Sequence, residues 1–236
     1  MIKTIHKADT RGVAEHGWLS SRHTFSFADY QNPDRVRFGP LRVINDDVVQ
    51  PSMGFGTHPH ENMEIISIPL TGQLRHEDSM GNVQEINAGE VQIMSAGTGI
   101  THSEYNGSDS DDVNFLQIWI LPEKQNIEPR YDQKLFSADE RQGRFQNVVS
   151  PDQSDDGVWI NQQAWFWLGD FDAGQAEKYT IKQPGNGAYF FVLEGAVSVA
   201  GEQLERRDGI GIEGAAEIGF EATKNCQLLV IDVPMQ

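Results

Sequence analysis

Apolar and polar positions alternate in short runs along this chain, and turns rich in Gly, Asn and Pro break the runs apart. Segments 2–5, 41–45, 63–70, 83–86, 91–94, 113–121 and 228–233 each predict a strand. Between them 31–34, 71–74, 79–82 and 87–90 read as turns or hairpin tips. Short strands spaced by roughly eight to twelve residues point to an all-β sandwich or barrel. The pattern also repeats. Segments 191–199 and 207–210 echo 68–72 and 88–91, with Gly195 standing where Gly72 stands, which predicts a duplicated β unit. The polar stretch 123–130, with Pro129, separates the copies and predicts domains at 1–125 and 126–236. Asp46 and Asp47 are expected in a solvated turn. Trp159, Trp165 and Trp167 are expected in core or inter-domain packing.

Composition sharpens this picture. Hydrophobic residues make up 38% of 236, and 23 Gly with 10 Pro suit a folded, turn-rich β protein. Lys and Arg total 18 against 35 Asp and Glu, a net charge of −17 that disfavours direct binding to nucleic acid or to an anionic membrane. The one cysteine, Cys226, excludes an internal disulfide and any Cys-based zinc or iron–sulfur site, and it is expected to be a small core residue. No segment has the apolar length of a signal-peptide core or a membrane span, so a soluble, cytoplasmic protein is expected.

The chemistry concentrates in two pairs. His58 and His60 stand two apart, as do His102 and Glu104, and on strands each pair projects from one face. Together they offer three neutral nitrogens and one anionic oxygen to a first-row divalent ion. All seven histidines lie at or before position 102, so an imidazole site belongs to the first half. A metal-free hydrogen-bonded histidine cluster and a closed zinc site are the bland alternatives, and structural zinc sites are usually Cys-rich. His76 is expected at the rim or behind the ligands, and His6, His16 and His23 at the surface or in structural hydrogen bonds. Gly97-Thr98-Gly99 fails as a nucleotide fingerprint, because His102 occupies the place of its third glycine.

Five stretches together resemble the pirin family of the cupin superfamily. They are 23–30 (His-Thr-Phe-Ser-Phe-Ala-Asp-Tyr), 38–43 (Phe-Gly-Pro-Leu-Arg-Val), His58-Pro59-His60 with Met63-Glu64, 76–79 (His-Glu-Asp-Ser), and 97–104 (Gly-Thr-Gly-Ile-Thr-His-Ser-Glu). The resemblance implies a bicupin of two tandem antiparallel β-barrels, the N-terminal one metal-binding and the C-terminal one degenerate. It places the metal ligands on His58, His60, His102 and Glu104, with Fe(II) the expected ion and Zn, Ni, Co, Mn or Cu as alternatives. It leaves Glu64 in a supporting role behind them. Pro69-Leu70-Thr71-Gly72 departs from the family's more usual Val-Leu-Glu-Gly. The activity implied is that of a quercetin 2,3-dioxygenase, in which O₂ cleaves a flavonol and CO is released. Four ligands leave two positions on an octahedral ion for a hydroxy-ketone, or for one substrate oxygen plus O₂, and Glu104 is the expected general base. The resemblance also admits an iron-containing redox sensor acting through a protein partner. A cupin that only binds or stores its ligand is a third expectation.

Overall fold

The structure is a computed structural model that describes residues 1–235. Its first strands are β1 (Ile2–His6), β2 (Gly12–Glu15), β3 (Leu19–His23), β4 (Leu41–Val49), β5 (Gly54–His60) and β6 (Glu64–Thr71). After them come β7 (Gln73–Asp78), β8 (Val83–Asn87), β9 (Glu90–Ser95), β10 (Ile100–Asn106), β11 (Val113–Ile120) and β12 (Arg130–Leu135). The rest are β13 (Phe145–Ser150), β14 (Val158–Trp159), β15 (Trp165–Phe171), β16 (Ala176–Thr180), β17 (Asn186–Glu194), β18 (Ala196–Val199), β19 (Glu202–Glu205), β20 (Gly209–Glu213), β21 (Glu217–Ala222) and β22 (Cys226–Pro234). Helix is confined to two single 3₁₀ turns among the described residues, and no helix there is long and apolar enough to cross a membrane.

The strands form two copies of one plan, as expected for a bicupin. In the first, a seven-stranded sheet ordered β12-β9-β6-β11-β4-β3-β2 faces a four-stranded sheet ordered β5-β10-β7-β8. In the second, β1-β20-β17-β22-β15-β13-β14 faces β16-β21-β18-β19. The edge strands are exchanged. β1, at the start of the chain, pairs with β20 of the second copy, and β12, which follows the 123–130 connection, pairs with β9 of the first. Gly72 and Gly195 turn the equivalent hairpins at φ +76° and +80°, and a Cβ on Gly195 would meet the Asn225 carbonyl oxygen at 1.9 Å. Only glycine fits there.

The two large sheets pack back to back. Ile44, Ile66, Leu116 and Ile118 of the first meet Phe166, Phe191, Leu229 and Ile231 of the second in one continuous core. The interior of the second copy is filled by its own side chains, among them Tyr179, Phe190, Ile218 and Phe220, and Cys226 is buried there with its thiol pushed up to about 11 by desolvation. Trp167 packs at the edge of that cluster beneath Lys182, and Trp159 lies under Arg130.

One expectation is overturned here. Asp46 and Asp47 are not in a solvated turn; both are buried inside β4, a strand covered on its two faces. Asp46 points toward the second copy, where Arg207 Nε lies at 3.0 Å and Arg11 at 3.5 Å, and Asn114 donates to it at 2.8 Å. Asp47 points into the first copy and accepts from the Ser21 hydroxyl. Adjacent aspartates suit a turn locally, but these two are held in a strand by partners distant in sequence.

Candidate metal centre

Strand pairing assembles the site. β10 runs antiparallel to β5 with His102 opposite His58 and Ile100 opposite His60, then slips register so that Glu104 opposes Phe55. On its other side β10 pairs with β7, which sets Asp78 opposite His102 and His76 opposite Glu104. Alternation turns His102, Glu104, His76 and Leu74 to the buried face, while Thr101, Tyr105 and Arg75 are exposed.

The rings of His58, His60 and His102 form a near-equilateral triangle, with centroids 4.5, 4.8 and 4.9 Å apart. One nitrogen from each lies within 4.8 Å of the others, and a second group, His76, His102 and Glu104, meets the same limit. His102 is common to both.

Hydrogen bonds orient these rings. His58 Nδ1 donates to the Gly56 carbonyl at 2.8 Å, which leaves Nε2 as the free lone pair. Asp78 accepts from His76 Nε2 at 3.1 Å, so His76 Nδ1 is the acceptor facing His102 Nδ1 at 3.4 Å. His102 Nε2 then points away from His76. It is buried and has no partner among the described residues. Burial, reinforced by His58 and then His76, pushes the His102 imidazole down to about 3, and burial with His102 and His58 pushes His60 to about 4. Both are neutral near pH 7, the state a metal requires.

Glu104 is held from the facing sheet. Ser67 Oγ donates to one carboxylate oxygen at 3.0 Å and Gln117 Nε2 to the other at 2.7 Å. Ser67 and Gln117 are themselves register partners on β6 and β11. Around the site opens a cavity of about 410 Å³, in the range of small-molecule pockets. Trp18, Leu19, Phe27, Phe55 and Trp119 form its apolar walls, and the edge of one ring meets the face of the other where Trp119 packs on His60 at 5.0 Å.

Of the outlying residues, Glu64 and His23 stand differently from expectation and the others do not. Glu64 does not support the site: it lies on the opposite face of β6 from Ser67, and its carboxylate accepts from Ser95 Oγ at 2.7 Å and from Asn161 N at 3.1 Å, at the seam between the copies. His76 takes the second of its two expected places, fully buried behind His102. His6 makes a structural hydrogen bond to the Tyr189 hydroxyl at 2.8 Å, and His16 is exposed at the cavity's edge. His23 is neither surface nor satisfied; it lines the cavity, buried, with Nδ1 unpartnered. Asn45, Ser67, Gln117 and Trp119 carry no motif and were invisible in the sequence, and Asp47 was visible only as half of an expected turn. They share only a polar or aromatic character at inward positions of otherwise apolar strands.

The second copy has no metal-ligating side chain at the equivalent places. Counting from Gly72 and Gly195, the places of His58, His76, His102 and Glu104 fall on Tyr179, Val199, Ile218 and Phe220, all buried in that copy's core.

The chain matches the pirin family profile over residues 5–120 and the quercetinase C-terminal cupin domain over 147–233. It is 43% identical to the quercetin 2,3-dioxygenase of Escherichia coli K12 over 232 residues, 98% of each chain. It is 38% identical to a pirin-like protein of Caulobacter vibrioides, over 95% of this chain and 96% of that one. Its structure superposes on that of YhhW from Escherichia coli with a TM-score of 0.96 at 41% identity, covering 100% and 99% of the two chains. The nickel(II) complex of bacterial pirin YhhW gives 0.95 at the same identity, covering 100% of both. The chain belongs to the pirin family.

Proposed function

We propose that this pirin is a metal-dependent dioxygenase that holds a divalent transition ion, Fe(II), on His58, His60, His102 and Glu104 and cleaves a flavonol with O₂, releasing CO. The observation that carries the metal is His102 Nε2. A buried, unpartnered nitrogen is costly, and here it faces away from His76 in a ring packed against those of His58 and His60. The donor set of imidazoles and one carboxylate suits iron, nickel, manganese or cobalt. Relatives named quercetin 2,3-dioxygenase and a pirin described with nickel(II) support the same reading.

When bound, such an ion supplies Lewis acidity toward a hydroxy-ketone donor pair and redox chemistry with O₂. The chain's own residues do the rest. Gly56, His76 and Asp78 fix the ring orientations of His58 and His102. Ser67 and Gln117 aim the Glu104 carboxylate, which accepts the proton of the substrate's 3-hydroxyl on a carboxylate oxygen. Trp119, Phe27 and Phe55 present apolar surface to flat aromatic rings and exclude water from the reacting end.

The test is oxygen uptake and CO release by the iron-loaded protein given quercetin. Uptake is expected in wild type, absent in His58→Ala together with the metal, and strongly reduced in Glu104→Gln with metal retained. No uptake at stoichiometric iron, nickel or manganese would refute the dioxygenase. Full turnover in metal-loaded Glu104→Gln would remove Glu104 as the base.

A further inference from the structure

The cavity is polar in a place that the metal cluster does not account for. His23 on β3 and Asn45 on β4 are register partners, and Ser21 and Asp47 are the next inward pair along the same strands. His23, Asn45 and Asp47 all line the cavity and are 4%, 2% and 4% exposed. His23 Nδ1 and Asn45 Oδ1 have no hydrogen-bond partner among the described residues. Buried polar atoms left in that state call for a ligand or an ordered water.

A wall of rings connects them to the histidine triad. His60 packs against Trp119 at 5.0 Å, Trp119 against Phe27 at 5.3 Å and Phe27 against His23 at 5.2 Å, each edge to face. Along the sheet, Asn45 pairs with Gln117, the donor to Glu104. Two strand spacings therefore place the His23 backbone roughly 10 Å from that of Gln117. A two- or three-ring phenol spans this length.

We propose that His23, Asn45 and Asp47 form a second recognition pole, which hydrogen-bonds a hydroxyl at the far end of an aromatic substrate whose near end lies at the histidine triad. The pole deepens the dioxygenase reading and rests on it only for what happens at the near end. A phenolic O–H donates to Asn45 Oδ1, and the same oxygen accepts from His23 or from the acid form of Asp47. Burial, then Arg11 and Arg22, pushes His23 down to about 4, so its neutral ring offers one donor and one acceptor. Burial, partly offset by the Ser21 hydroxyl, pushes Asp47 up to about 7, so near neutrality it can give or take a hydrogen bond. The substrate class is a flat polyphenol, not a simple hydroxy-ketone.

The test compares quercetin with 3-hydroxyflavone, which keeps the hydroxy-ketone pair and lacks the distal hydroxyls. Binding is read by tryptophan fluorescence quenching in zinc-loaded protein, and turnover by oxygen uptake in iron-loaded protein. Wild type is expected to bind quercetin about tenfold more tightly, because a site built for a hydroxyl rejects the analogue lacking it. In Asn45→Leu and His23→Phe that ratio is expected to fall toward one. Equal dissociation constants in wild type, or an unchanged ratio in variants that melt like wild type, overturn the pole. If one variant fails to fold, the wild-type ratio and the other variant still decide. A preserved ratio without oxygen uptake sinks the dioxygenase and leaves the pole standing; equal kcat/KM for both flavonols does the reverse.

Discussion

Replacing His76 by leucine removes the middle of the Asp78–His76–His102 chain while touching none of the proposed ligand atoms of His58 or His60. The direct losses are the 3.1 Å bond to Asp78 and the 3.4 Å bond to His102 Nδ1. Asp78 keeps its contact from Asn82 Nδ2 at 2.8 Å, so the uncompensated group is the His102 Nδ1 hydrogen, buried with no other acceptor among the described residues. Leaving it unsatisfied costs about 1–3 kcal/mol of stability in the metal-free and the loaded protein alike. That part cancels from the metal dissociation constant. What does not cancel is the freedom His102 gains to rotate and to move its proton to Nε2, the atom proposed to hold the metal. Loss of such a supporting partner weakens metal binding by about 10–100-fold. The length of the 3.4 Å bond puts the expectation near the lower end, about tenfold or ~1.4 kcal/mol. Competition with a chromogenic chelator at neutral pH measures the affinity, and thermal melting of the metal-free protein measures the separate stability cost. Wild-type affinity for both nickel(II) and iron(II) in a folded His76→Leu protein would refute the orienting role.

Acid should destabilise the metal-free protein well above the carboxylate range. His6, His23 and His60 are pushed from 6.5 to about 4 and His102 to about 3, chiefly by burial, so below pH 6.5 the unfolded chain binds protons that the folded one refuses. Stability from these groups is complete above pH 6.5 and is lost as pH falls toward 4. Asp47, raised from 3.8 to about 7, and Glu64 and Asp232, also raised by burial, have the opposite sign, three groups against four. A melting temperature that stays flat between pH 7 and 4 would contradict this balance. Asp46→Ala leaves Arg207 and Arg11 without their buried counter-charge and should cost about 3–5 kcal/mol, seen as a lowered denaturation midpoint, whereas a surface-like effect under about 1 kcal/mol would show the pair to be solvated. Gly195→Ala should destabilise by at least ~2 kcal/mol more than Gly201→Ala, because both have positive φ but only the first meets backbone at 1.9 Å. Equal melting temperatures of the two variants would show that the 195 turn relaxes freely.

Much of this protein is legible along the chain. Strand periodicity and glycine-rich turns give the all-β class, because a two-residue alternation is a local property of a half-buried strand. The echo of Gly72 in Gly195 gives the duplication, and the spacing of His58 with His60 and of His102 with Glu104 puts each pair on one face. Those are short-range facts. Pairing between distant strands decided the rest. Only the β5–β10–β7 register sets His102 beside His58 and His76 beside Glu104, and only the facing sheet brings Ser67 and Gln117 to the carboxylate. Asp46 and Asp47 look like a turn until β4 is sandwiched between two cores. Glu64 looks like part of the site until the face of β6 it occupies is known. The sequence alone determined which chemistry was available and on which face of each strand it stood. The tertiary structure decided which faces met, because a buried polar group is stabilised by partners whose place along the chain carries no local signal.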